Sequence, residues 1–242
     1  MASQNYLTKV VGNSNGNYTN KYNRAQKLIN NWDSIRVKME RMVTRGNGKT
    51  KLSQRAWLIL LIMETGIRVG NRVSADGYIS KNKYGKYFEK KVRTFGATTL
   101  KVKHCKVKDG VLSISFLGKK QVSVSVKTNN KILLKYFPEL VKGKVAGDDL
   151  TSEEARFLNG FLKKRVGRYS AKDLRTAKVN LIYSSNAQFP DAIKNKSEAN
   201  KIVKDVLVET AKLAGHTPGV CKSRYVSPDL IFFYKETLLS LM

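Results

Sequence analysis

The chain has 242 residues, with 46 Lys+Arg against 18 Asp+Glu, a formal net charge of +28 and 41% hydrophobic content. That apolar share excludes a disordered chain and suffices for one large domain or two small ones, while the longest apolar run, "AWLILLIM" (Ala56 to Met63), falls short of the ~18 residues of a membrane span. A cationic surplus of this size repels itself and calls for a polyanionic partner, nucleic acid first and an anionic membrane surface second.

In chain order, residues 1–20 are rich in Asn, Gly, Ser and Thr and read as a loose tail without a signal-peptide core. The spacing of Leu28, Trp32, Ile35, Val37, Met39 and Met42 predicts one helix over Arg24–Val43, broken by "GNGKTK". A second helix, apolar at its centre and so buried, is expected from Ser53 as N-cap to Gly66 as the residue past its end. Val73 to Thr94 is polar, Tyr- and Lys-containing and aperiodic, which predicts a long loop or irregular insertion. The period then changes to two. "TTLKVKHCKVK", "VLSISF" and "QVSVSV", separated at Asp109-Gly110 and Gly118-Lys119, predict a three-stranded antiparallel sheet. On its first strand Lys101, Lys103 and Lys106 would share a face, either tracking phosphates or merely solvated.

Helical text follows. Asn130–Phe137 should stop at Pro138. Thr151 should open a helix through a T-x-x-E capping box with Glu154 and run to about Gly167. Further helices are expected over Ser170–Ser184, over Ser197–Ala214 with a stop at Gly215, and after Pro228. The sum is an α+β chain, mainly α-helical, with one small sheet. The two cysteines, Cys105 and Cys221, suit a reducing compartment. No CxxC or HxxxH spacing supports a zinc site, and no metal or other cofactor is expected. Cys221 reads as packing and His104 as non-catalytic.

Chemistry concentrates in "AGHTPGVCKSRYVSPDL" (Ala214 to Leu230), which holds His216, one of two histidines, and Tyr225 nine residues on. A tyrosine, with a reference pKa of ~10, is a poor nucleophile unless positive charge favours the phenolate. In a basic protein its natural electrophile is a phosphodiester. Attack builds charge on the non-bridging oxygens, and arginine is the planar, permanently protonated group suited to it. A lysine at a mobile tip can protonate the departing 5′ oxygen. Candidates stand at Arg68 past a helix end, Lys119 at a strand turn, Arg175 within a helix and His216 at a helix boundary. Taken singly, each is also an ordinary surface cation or structural residue.

The segments "GIRVGN", "FGATTLKVKHCKV", "FLGKKQVSV", "SAKDLRTAKVN" and "AGHTPGVCKSRYVSP", in this order, resemble the motifs of the type IB DNA topoisomerases, in their small poxvirus-type and bacterial branch. The resemblance covers roughly residues 53–229. It implies the topoisomerase IB/tyrosine recombinase catalytic-domain fold over residues 21–242. It further implies Tyr225 as the residue that bonds a DNA 3′ phosphate, Arg68 and Arg175 on the non-bridging oxygens, Lys119 (Lys120 adjoins it) as general acid, and His216 as a hydrogen-bond donor to the phosphate. The activity implied is relaxation of double-stranded DNA without ATP or metal, by a monomer inside the cell with the DNA, neither secreted nor membrane-bound. The family's N-terminal β-rich domain is expected to be reduced or absent, and the stretch from Val73 to Arg93 aligns with none of the motifs. Two alternatives stay open. A tyrosine recombinase would share the chemistry but usually carries H-x-L-R where this chain has "KDLR". A non-catalytic DNA-binding protein would explain the charge equally well.

Overall fold

The computed structural model describes residues 19–76, 78–81, 87–90 and 93–242. Their helices are α1 (Thr19–Asn30), α2 (Trp32–Arg45), α3 (Lys51–Thr65), α4 (Arg72–Asp76), α5 (Lys131–Val141), α6 (Ala155–Arg165), α7 (Ala171–Asn186), α8 (Lys196–Leu213), α9 (Pro218–Arg224) and α10 (Pro228–Leu239). Their strands are β1 (Tyr78–Lys81), β2 (Tyr87–Lys90), β3 (Cys105–Lys108), β4 (Val111–Leu117) and β5 (Ser123–Thr128). The chain forms two compact units, Asn31–Arg175 and Met1–Asn30 together with Thr176–Met242. The expected N-terminal tail falls almost wholly outside the described residues.

The Asn31–Arg175 unit is built around α3. From Ala56 to Met63 every side chain of this helix is buried, which is the mark of a core helix rather than a one-faced surface helix. Thr50 caps it by accepting the Ser53 N–H at 3.1 Å, and Gly66 ends it in the left-handed region (φ 68°). The expected cap was Ser53. The Ser53 hydroxyl instead bonds the Thr50 and Gly46 carbonyls. Helices α2, α5 and α6 and strand β5 pack against α3, and Trp57 donates from Nε1 to the Leu133 carbonyl at 3.2 Å. Beside it lies the three-stranded sheet in the order β3-β4-β5, antiparallel throughout. Asp109 and Gly110 make the β3–β4 turn with φ of 50° and 70°, the two left-handed residues that such a two-residue hairpin requires.

In the second unit, α8 carries α9 and α10. The core gathers Val179 and Tyr183 from α7, Val203, Val206 and Leu207 from α8, and Leu230, Tyr234 and Leu238 from α10. Tyr183 and Tyr234 meet edge to face at 6.1 Å, and Tyr234 donates to the Gln188 carbonyl at 2.6 Å. Burial pushes the Tyr234 hydroxyl up to about 12. Cys221 is fully buried, in packing as expected.

Several expectations are corrected. The helix over Arg24–Val43 is two helices, parted at Asn31. Two successive asparagines, whose side chains compete for the backbone, favour a boundary there. Within α2 the buried side chains are Ile35, Met39 and Val43, while Val37 is exposed. The polar stretch after Val73 contains α4 and a β1–β2 hairpin rather than only loop. The first sheet strand begins at Cys105, because residues 102–104 turn as a 3-10 helix. Lys101 and Lys103 therefore do not share a strand face with Lys106. Lys101 instead pairs with Asp149 at 2.6 Å. Helix α5 runs through Pro138 to Val141. Thr151 makes no capping box, since the helix begins at Ala155 after Glu154, and Glu153 is withdrawn to a buried pair with Arg55 at 2.8 Å. Tertiary contacts won over the local signal in both places.

His104 is structural. Its Nδ1 accepts the Lys101 N–H at 3.0 Å, and its ring meets Phe95 edge-on at 4.4 Å. Burial, then the charges of Lys103 and Lys101, lower its pKa to about 4. The neutral ring therefore stabilises the fold fully above its ordinary pKa of ~6.5, and that contribution is lost as pH falls through about 4. Thermal unfolding followed from pH 7.5 to 4 should show a steeper loss in the wild type than in His104→Asn, which keeps an acceptor but has no proton to gain. Parallel curves would mean that His104 does not set the acid sensitivity.

Candidate active site

Arg68, Lys119 and Arg175 belong to the Asn31–Arg175 unit, and His216 and Tyr225 to the other. In the first unit Arg68 is fixed through its backbone. The Arg68 carbonyl accepts the Ala97 N–H at 2.7 Å, and the Val69 carbonyl accepts both the Thr98 N–H (2.7 Å) and its hydroxyl (2.8 Å). The two segments are too close for side chains. A Cβ on Gly96 would lie 2.5 Å from the Gly70 nitrogen and 2.6 Å from the Arg68 oxygen. Gly70 itself sits at φ +95°, and a Cβ there would meet the Thr99 hydroxyl at 2.8 Å. The "GIRVG" and "FGATT" motifs are thus two halves of one interlock. Downstream, Arg72 donates to Asp149. Burial works against the Asp149 charge, but hydrogen bonds from Lys101 and Arg72 outweigh it and hold the carboxyl below its usual range.

The same stretch anchors the Lys119 hairpin. Phe95 donates its N–H to the Leu117 carbonyl at 2.8 Å, one residue before Gly118. The β4–β5 connection closes through Gly118 N–H to the Val122 carbonyl at 2.8 Å, with Lys119 to Gln121 in a 3-10 turn and the Lys119 side chain exposed. Lys119 therefore stands on a tip whose base is bonded to the same Phe95–Ala97 segment that bonds the Arg68 carbonyl. Arg175 is on α7, whose start is fixed by a reciprocal cap. Asp173 accepts the Ser170 N–H at 2.9 Å, and Ser170 accepts the Asp173 N–H at 3.3 Å. Arg175 is 3% exposed. An arginine this deep does not serve as a solvated surface cation.

In the second unit, "GHTP" is a helix stop followed at once by a helix start. Gly215 (φ 63°) donates to Lys212, and the His216 N–H donates to Ala211 at 2.8 Å. This is the paired bond set that ends a helix with a left-handed residue. Thr217 then caps α9 by accepting the Val220 N–H, with Pro218 in the first turn. Gly215, Thr217 and Pro218 are explained by backbone needs, none of which calls for a histidine side chain at 216. Its ring stacks on Tyr225, centroids 4.2 Å apart and planes 19° apart, with both residues buried.

Tyr225 ends α9. Its carbonyl accepts from Asn180 Nδ2 at 2.9 Å, while Asn180 Oδ1 accepts the Ser227 N–H at 2.8 Å. One buried side chain of α7 thus clamps the backbone on both sides of Val226. Sequence reading quoted Asn180 within "KDLRTAKVN" without giving it a role. Its partners lie 45 and 47 residues away, beyond any local spacing signal. Cys221 and Cys105 are free thiols, and burial pushes Cys105 up to about 12. Among the described residues no group of three or more His, Cys, Asp or Glu could hold a metal ion, and no helix is long and apolar enough to cross a membrane.

Residues 13–230 match the family model for the eukaryotic DNA topoisomerase I catalytic core. The chain is 23% identical over 198 residues to the DNA topoisomerase 1B of Acanthamoeba polyphaga mimivirus, covering 74% of this chain and 54% of that protein. It is 29% identical over 166 residues to the DNA topoisomerase I of monkeypox virus, and likewise to the DNA topoisomerase 1B of vaccinia virus strain Copenhagen, covering 64% of this chain and 50% of each. The chain spans about half the length of the curated relatives it matches.

Asn180→Ala strands the Tyr225 carbonyl and the Ser227 N–H, and should cost about 1–3 kcal/mol in urea unfolding. Asn180→Asp, which keeps the acceptor for Ser227 but sets a buried carboxylate against the Tyr225 and Thr176 carbonyls, should lose at least as much. Equal stability of wild type and Asn180→Ala would refute the clamp.

Proposed function

Because the chain belongs to the DNA topoisomerase I catalytic-core family, we propose that it is a type IB DNA topoisomerase acting on duplex DNA, with residues 21–242 as its catalytic domain. It works as a monomer, inside the cell where the DNA is. The Tyr225 oxygen attacks the scissile phosphorus, the bond to the 5′ oxygen breaks, and the 3′ end is held as a phosphotyrosyl ester. The free end swivels, and the 5′ hydroxyl then attacks the same phosphorus and expels Tyr225. Bond energy is kept in the ester, so the cycle consumes no ATP.

The observation that carries this reading is the Tyr225–His216 stack within a family-matched chain. A phenol whose ring is fixed by its neighbours approaches a phosphate in few orientations, which lowers the entropic part of the barrier. His216 donates to a phosphate oxygen as charge builds there. Arg68 and Arg175 offset that charge on the two non-bridging oxygens. The interlock behind Arg68 supports its role, since a charge donor works best when it needs no reorganisation as the reaction proceeds. Lys119 gives its proton to the departing 5′ oxygen.

Supercoiled plasmid should relax in EDTA without ATP. Tyr225→Phe should abolish relaxation while duplex binding persists, and Arg68→Ala and Arg175→Ala should each slow strand cleavage by ~10²–10³. Relaxation by Tyr225→Phe at the wild-type rate would remove Tyr225 as nucleophile.

A 5′-bridging sulfur at the scissile phosphate makes a leaving group that needs no proton. On that substrate Lys119→Ala should cleave nearly as fast as wild type, whereas on ordinary DNA it should be slower by ~10²–10⁴. Equal slowing on both substrates would exclude Lys119 as the general acid and direct the same rescue experiment to Lys120.

A further inference from the structure

Helix α2 faces two ways. Ile35, Met39 and Val43 are buried on one side of it. Its other side lines an open groove of about 980 Å³, bounded by the α2–α3 connection and by Arg165 at the end of α6. The groove follows α2 from Asp33 to Arg45, which at about 1.5 Å per residue is a length of about 18 Å, or roughly three helical turns. It lies wholly within the Asn31–Arg175 unit, and none of its lining residues is a candidate catalytic residue.

The apolar lining is Val37, Met42 and Leu52. Val37 is 40% exposed and Leu52 45%. Apolar side chains that share one open groove and are rimmed by charge mark an interaction surface, and a methionine among them adapts to an irregular partner. The charged lining is nearly all of one sign. Lys38, Arg41, Arg45 and Arg165 stand against Asp33, which is already paired with Arg36 at 2.8 Å. Lys38 is used internally, since its ammonium donates to the Arg165 carbonyl and so ties the end of α6 to α2. Among the described residues no carboxylate pairs with Arg41, Arg45 or Arg165.

This combination selects its occupant. The lining holds no aromatic side chain, so it lacks the platform on which single-stranded bases stack. Duplex phosphates would meet the arginines but would give Val37, Met42 and Leu52 no apolar partner, and it is apolar burial that such a groove has to gain. Residues 1–18, 77, 82–86 and 91–92 contain no Asp or Glu, so they cannot supply the opposite charge, and a second copy of the chain brings the same +28. A helix with an apolar stripe flanked by carboxylates matches both parts of the lining, in the way that amphipathic helices lie in grooves.

We propose that the groove along α2 is a docking site for an acidic amphipathic helix of another protein. Its apolar stripe packs on Val37, Met42 and Leu52, and its carboxylates pair with Arg41, Arg45 and Arg165. Such docking is independent of the chemistry at Tyr225.

The test is a fluorescence-anisotropy titration of the full chain at about 0.15 M salt. The probe is a labelled peptide of about 16 residues, built of the helix formers Leu, Glu, Ala and Gln with its leucines three and four apart. One control peptide has the same residues in an order that breaks the stripe, and so measures the attraction of any acidic peptide to a cationic chain. A second has Gln for every Glu. Both controls should bind at least about tenfold more weakly than the striped peptide, and Arg41→Ala with Arg45→Ala, or separately Val37→Ser with Leu52→Ser, should each weaken the striped peptide by about tenfold. All four side chains are exposed, so both variants should melt with the wild type. Lys201→Ala with Lys204→Ala, which removes two exposed charges from the other unit, should bind the striped peptide as the wild type does. A striped peptide that binds no better than either control, or that binds either groove variant as tightly as the wild type, overturns the proposal. So does displacement of the peptide by duplex DNA together with a fall of about 2 in the magnitude of the salt slope for duplex binding in the arginine variant, which would make the groove a phosphate contact.

Discussion

The close approach of two backbone segments, Arg68–Gly70 and Gly96–Thr98, is the constraint on which the Asn31–Arg175 unit depends. Three hydrogen bonds of 2.7–2.8 Å join them across a gap too small for a Cβ on Gly96. From this contact the chain runs one way into the buried helix α3, and another way, through Phe95 and Leu117, into the β4–β5 hairpin that carries Lys119. A misplacement of about 1 Å at a reacting centre can cost on the order of 10²-fold in rate. A position held by main-chain bonds just past a core helix is fixed more closely than one held by side chains alone. The glycines are thus the condition for rigidity in this segment.

The second unit solves the corresponding problem by helix termination. The α8 stop at Gly215 and the α9 start at Thr217 leave one residue between them, His216, whose main chain is already engaged by α8. Its ring lies against Tyr225, seven residues of helix later. Among the described residues of this unit three tyrosines are buried, and burial alone does not separate them. Tyr234 donates to a carbonyl, and its hydroxyl is pushed up to about 12 by burial, which disfavours the phenolate. Tyr183 packs on Tyr234 in the core. Tyr225 is the one set against an imidazole, with its peptide clamped by Asn180. The distinction lies in the neighbours, so a count of buried tyrosines would not find it.

Much of this was legible where physics is local. The period-two text from Val111 to Thr128 became β4 and β5, and Asp109-Gly110 became their tight turn with β3, because alternation and left-handed turn residues leave little choice. Gly66 and Gly215 ended helices as read. The helix at Pro138 was misread because proline forbids one backbone bond, not a helix whose Tyr136, Phe137 and Leu140 are buried on both sides of it. The Thr151 box failed because Glu153, next to the expected partner, is drawn to Arg55 some 98 residues away. The ribbon was missed because the text from Val73 to Thr94 carries little period to detect. Within the candidate site, residue types were proposed from their motifs. Their supports, Gly96, Asp149 and Asn180, were not, since each acts through a partner distant in sequence.

The charge balance can now be given a physical division of labour. Several of the 18 acidic residues are committed to internal tasks. Asp149 holds Arg72 and Lys101, Glu153 pairs with Arg55, and Asp173 caps α7. Glu198 accepts the Lys194 N–H at the start of α8, and Asp148 accepts the Val145 N–H. Acids used in this way fix backbone and core and do little to neutralise the surface. The cationic surplus that remains repels itself, which opposes compaction. A polyanion that binds the folded chain offsets that repulsion, and by mass action it stabilises the fold as well. Neutralising the surface with more carboxylates would relieve the same strain and would weaken the binding of any polyanion in the same step. The surplus of +28 is thus the compromise expected of a chain whose acids secure its interior and whose surface is suited to a polyanion.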